Sequence, residues 1–96
     1  MTPDEWLCRL LDATTLPPKT DDVATLIDAF QAMVRDRQAL FDDPVRPTSL
    51  GAHHAEIVAE IDIRQAEWRR ALAEARTRVS AHRAAANQCR RYQRAA

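Results

Sequence analysis

Residues 49–94, SLGAHHAEIVAEIDIRQAEWRRALAEARTRVSAHRAAANQCRRYQR, contain no proline and no glycine beyond Gly51. They are rich in Ala, Arg and Glu, which are strong helix formers. Val58, Ile61, Trp68, Leu72, Ala75, Val79, Ala86 and Cys89 recur at intervals of three, four or their multiples, the period of one face of an α-helix. The stretch therefore predicts a single amphipathic helix about 65–70 Å long at the helical rise. No other element of a 96-residue chain is long enough to cover it from end to end. That mismatch decides the fold: shorter helices fold back over part of a long one and leave the remainder for something else.

Upstream, Thr2-Pro3-Asp4-Glu5 has the form of a helix start, with Thr2 as cap, Pro3 in the first turn and Glu5 closing a capping box. Trp6, Leu7, Leu10 and Leu11 give this helix one apolar stripe, and it should run over 3–13. Pro17-Pro18 then breaks it, because proline removes a backbone donor and forces the preceding residue into extended geometry. A second helix over 21–42 is expected from a Thr20 cap, with Asp21 and Asp22 complementing its dipole. Val23, Leu26, Ile27, Phe30, Met33, Val34, Arg37, Leu40 and Phe41 keep the helical period. Pro44 and Pro47 end it, and Thr48 or Ser49 should cap the long helix after a loop of about six residues, a length that favours an antiparallel hairpin.

The expectation is an all-α fold: an antiparallel helical hairpin with a long C-terminal helix and a short N-terminal helix, all in one domain over residues 1–96. The second helix would be roughly 33 Å long and could cover only residues 50–72. The two prolines place the first helix near the middle of the long one, where it could lie along part of the overhang beyond Leu72. A second copy or a client protein would cover what is left.

The formal net charge is zero, but residues 1–63 carry 12 acidic and 5 basic side chains, and residues 64–96 carry 2 acidic and 9 basic. The chain is an electrostatic dipole. No apolar run reaches the roughly 20 residues that a bilayer-spanning helix needs. Asp4, Glu5, Arg9 and Asp12 interrupt any signal-peptide core, so a cytoplasmic protein without membrane insertion is expected. Cys8 and Cys89 have no CxxC spacing and are expected as buried, reduced, small apolar residues.

Arg69, Arg76, Arg83 and Arg90 recur every seven residues beside the seam, where charges select a partner in coiled-coil-like packing, and they imply an acidic partner surface. A solvated face is the plain alternative. Clustered arginine is also a nucleic-acid footprint, disfavoured here by the neutral net charge and by the absence of a helix-turn-helix or aromatic-interleaved pattern. His53, Glu56 and Glu60 share a face, but ordinary polar residues of a first turn account for them better than a metal site does. His82 lies on the seam, with Gln65 close to it in heptad phase, where polar residues set register. No Ser–His–Asp or Cys–His grouping has workable spacing, and one glycine provides no phosphate-cradling loop, so neither enzymatic activity nor a cofactor is expected. The partner-binding surface is placed on Trp68, Leu72, Ala75, Arg76, Val79 and Arg83. The apolar members would supply contact area and the arginines would steer an acidic helix. The alternatives are a structural homodimerisation module pairing the same seam with itself, and a regulator binding DNA or a transcription factor through the arginines.

The order of elements, the phrase Asp36-Arg37-Gln38-Ala39-Leu40 near the end of the second helix, the proline-containing loop, and the long helix opening with Ile57, Ile61 and Asp62 before an Arg-rich run toward Tyr92 resemble small flagellar export chaperones of the FliT type. The resemblance covers about residues 21–92; the chain departs from the family in a shorter first helix and in having no separate fourth helix after the third. It implies a cytoplasmic chaperone that binds the helical end of a filament-cap or other secreted subunit, blocks its premature assembly and delivers it to the type III export apparatus.

Overall fold

Three helices, α1 (Pro3–Ala13), α2 (Val23–Phe41) and α3 (His54–Ala95), make up the computed structural model, which describes residues 2–95. The all-α class and the long third helix are as the periodicity requires. The radius of gyration is 19.5 Å and the extents are 69 × 23 × 19 Å. A compact chain of this length would have a radius of about 12–13 Å, so the molecule is a rod set by α3. Among the described residues no helix is long and apolar enough to cross a membrane.

Local chemistry explains the first helix. Glu5 N–H donates to Thr2 Oγ1 (3.2 Å) and Thr2 N–H donates to the Glu5 carboxylate (3.4 Å), a reciprocal capping box. At the other end the fully buried Thr14 hydroxyl donates to the Leu10 carbonyl (2.8 Å). Arg64 Nη1, reaching across from α3, donates to the carbonyls of Leu11 (3.0 Å) and Thr14 (3.2 Å). A guanidinium at a helix C-terminus satisfies orphan carbonyls and complements the dipole.

These contacts place α1 beside the N-terminal half of α3 and parallel to it, not along the distal overhang. Asp4 meets the start of α3 at His53, while Leu11 and Thr14 meet Arg64. Trp6 Nε1 donates to Leu40 O of α2 (3.3 Å), and its ring meets Phe41 edge-on at 5.3 Å, so α1 is antiparallel to α2. Beyond α1, the Trp68 indole N–H donates to the Thr15 carbonyl, and Leu16, Pro17 and Pro18 continue along α3 beside Glu67, Ala71 and Glu74. The prolines thus carry the chain further up α3 before α2 turns back. Leu7, Leu10 and Ile61 are buried in the lower part of the bundle. Leu26, Met33, Trp68 and Ala75 form the upper core, with Val23, Ala29, Phe30, Ala71 and Leu72 packed around it.

Two boundaries differ from the expectation. Helix α2 begins at Val23, because Asp22 rather than Thr20 is its cap: Asp22 accepts from Ala24 N–H (3.1 Å) and from the Thr25 hydroxyl (2.7 Å). Thr20 acts one step earlier by accepting from Asp22 N–H (3.1 Å). Helix α3 begins at His54 instead of residue 49, which makes the connection about twice as long as its prolines suggest. The cause is a tertiary contact. The Asp4 carboxylate accepts from His53 N–H (3.3 and 3.4 Å), a cap supplied from another helix, and it lies over Gly51, where a Cβ would collide with it and stand 3.1 Å from Asp4 N. The longer connection shifts α2 along α3, so the covered part extends to Ala75 and past it instead of stopping at Leu72.

Two outcomes follow. Gly51→Ala should cost about 1 kcal/mol by displacing the Asp4 carboxylate from His53 N–H, Asp4→Ala should cost a similar amount, and the double variant should fall short of their sum in urea denaturation. The Thr25 hydroxyl, and after it the Ala24 N–H, hold the Asp22 carboxyl below its usual value. The stability it lends to the start of α2 is therefore present above the ordinary carboxylate range and is lost as pH falls through the lowered folded value. Asp22→Asn should remove that acid-dependent part, read as amide exchange at Ala24 and Thr25 between neutral and acidic pH.

Candidate docking surface

The boundary between the covered and uncovered parts of α3 falls near Arg78, whose side chain still lines the cleft under the Pro17-Pro18 segment. Residues 79–95 extend beyond it by about 25 Å at the helical rise. On this overhang Val79 and Ala86 are half-buried, whereas His82, Arg83, Cys89, Arg90 and Tyr92 are exposed. No acid follows Glu74. Arg76, Arg83 and Arg90, two helical turns apart, make one basic stripe on it, and none of the three enters an ion pair among the described residues.

The structure divides the six residues expected to bind a partner. Trp68 is 2 % exposed and Ala75 is 5 % exposed; both lie in the upper core, enclosed by Leu26 and Met33, and Trp68 also meets the tilted ring of Phe30 at 5.6 Å. They are intramolecular core, a correction that follows from the shift of α2 along α3. Leu72 is half-buried at the core's edge, Val79 is half-buried, and Arg76 and Arg83 are exposed. A partner lying along the overhang can therefore reach Leu72, Arg76, Val79 and Arg83, while Trp68 and Ala75 face the core and give it no contact area.

The expectation of buried cysteines changes for a related reason. Both cysteines are exposed and unpaired: Cys89 lies on the overhang, where nothing covers the seam, and Cys8 points away from its buried neighbours Leu7 and Leu10. His53 forms an exposed pair with Glu56 (3.6 Å), and no three potential metal ligands cluster among the described residues. Arg37 of α2 lies opposite Gln65 of α3.

That last contact marks a surface absent from the sequence reading. Between α2 and α3 lies a groove of about 250 Å³ lined by Phe30, Met33, Arg37, Gln65, Trp68, Arg69 and Leu72. The Gln65 amide, with its oxygen toward α2, accepts from Arg37 Nη1 (3.0 Å) and Nη2 (2.7 Å), while Arg37 Nε is buried without a partner. The signal available in the sequence was Arg37 itself, a charge at an apolar register of α2. On the outer side of α2, Ile27 and Val34 are 43 % and 44 % exposed and two turns apart, an uncovered apolar strip.

Compared with models of known protein families, with curated proteins and with solved structures, the chain matches none.

Trp68→Ala should cost about 3–5 kcal/mol by emptying the upper core, a large share of a small domain's stability. Arg76→Ala and Arg83→Ala should each change it by less than about 0.5 kcal/mol. Urea denaturation followed by circular dichroism checks the contrast.

Proposed function

We propose that the chain is a helical docking protein that holds an amphipathic segment of another protein along the uncovered part of α3. The observation that carries this reading is the overhang: residues 79–95 continue α3 beyond the cleft that Arg78 lines, and the exposed Arg76, Arg83 and Arg90 enter no ion pair among the described residues. An unpartnered helix face with partly buried Val79 and Ala86 offers a modest apolar strip, and the flanking arginines favour an acidic partner through steering and register. A second copy supplying its own overhang would set arginine against arginine, which opposes self-pairing there.

Within this class, the resemblance to flagellar export chaperones supplies the specific reading. The chain would act in the cytoplasm, keep the helical end of a secreted subunit from assembling, and present it to the export apparatus. Leu72, Arg76, Val79 and Arg83 are the residues assigned to that contact. The test is co-expression with each secreted flagellar subunit of the native host, followed by sizing of the complex. A one-to-one complex that disappears on truncation after Arg78, in a protein that keeps its bundle by circular dichroism, is the expected result. A tight homodimer that sequesters the overhang, or a truncated chain that retains its client, would overturn it.

A further inference from the structure

The α2–α3 groove differs from the overhang in shape and in chemistry. Its floor is apolar, made by Phe30, Met33, Trp68 and Leu72, and its polar rim is Arg37, Gln65 and Arg69. No carboxylate lines it, and neither arginine takes part in an ion pair among the described residues. Arg37 is the unusual member. It sits at an apolar register of α2, is half-buried, and has only the neutral Gln65 amide as partner, with its Nε shielded and unbonded. Taking a guanidinium partly out of water without a counter-charge is unfavourable, and a carboxylate arriving from outside would reverse that cost.

We infer that this groove is a docking site for an amphipathic helix of a partner protein, with a partner carboxylate against Arg37 and Arg69 and a neighbouring apolar side chain entering between Phe30 and Leu72. A groove of about 250 Å³ accepts a side chain, not a whole ligand. Its neighbours on α2, Ile27 and Val34, extend the apolar track over two turns, the spacing at which a helix presents successive anchors. Charge complementarity selects the occupant. The overhang of a second copy has no acid past Glu74 and would bring more arginine to Arg37 and Arg69. A phosphate backbone would satisfy the guanidinium groups but leave the apolar floor and the Ile27–Val34 strip unfilled. This inference rests on the docking reading in taking the partner to be a helix, but it uses a different surface and assigns the acid specificity to it.

The experiment uses the full chain labelled with nitrogen-15 and a pair of alanine-based 20-residue helical peptides. One carries leucines at helical spacing flanked by Glu, the other has Gln at the same positions. The Glu peptide should shift the Trp68 indole N–H and the Gln65 side-chain amide, and the Gln peptide should bind about tenfold or more weakly, the effect of losing a charge-assisted hydrogen bond. Arg37→Gln should abolish that discrimination. Arg69→Gln, on the exposed lip where folding is not at stake, should reduce it in part. Equal affinity for the two peptides, or no shift at Trp68 and Gln65, would overturn the proposal. Shifts confined to residues 79–95 would also overturn it while leaving the overhang reading intact. A single-stranded 20-nucleotide DNA that shifts Trp68 and binds more tightly than the Glu peptide at physiological salt would assign the groove to nucleic acid instead.

Discussion

The Trp68 indole is the constraint on which the rest of the bundle depends. Its ring fills the space beneath Phe30, Met33 and Leu26, and its N–H holds the Thr15 carbonyl just before the two prolines. One side chain therefore fixes the height at which α1 ends, the line taken by the linker, and the level at which α2 passes over α3. A leucine would fill part of the volume but could not bind Thr15. Arg64, one turn earlier, fastens the end of α1 by its carbonyls. Together they tie three segments to one stretch of α3 little more than a turn long.

That arrangement also explains why the basic part of the chain is left bare. Helix α1 and the linker run up α3, and α2 runs back down, so both are spent on the same length of the long helix. All the acids lie at or before Glu74, within this covered length, and every charged side chain beyond Arg78 is an arginine. The separation of charge along the sequence becomes a separation along the rod. Any acidic partner is drawn toward the end that has free surface, an effect that weakens as salt rises.

What could be read from the sequence was what depends on neighbours in the chain. The Thr2–Glu5 box, the break at Pro17-Pro18, and the helical periods of α2 and α3 are local patterns with local causes. The start of α3 was not legible, because it is set by Asp4 lying over Gly51, a contact between residues far apart in the chain. The position of α1 was missed for the same reason: an extended linker can lead in either direction, and the Trp68 and Arg64 bonds choose one. For the candidate surface, the periodicity located the overhang and its arginines but misplaced Trp68 and Ala75, since a seam residue looks alike in sequence whether its cover comes from the same chain or another. The groove was hinted at only by the charge of Arg37 in an apolar register, and its lining comes together only through tertiary packing.

Helix α3 crosses from the bundle into the overhang without interruption. An isolated helix has to nucleate, because its first turn must be ordered before any hydrogen bond rewards it. Here the first turn is already made by the residues packed beneath α2, so the overhang only propagates. A partner that meets it is spared the nucleation of its binding surface and supplies contacts alone. Binding nearer the bundle meets a more firmly held helix than binding nearer the tip, so position along α3 is itself a means of tuning how tightly a partner is held.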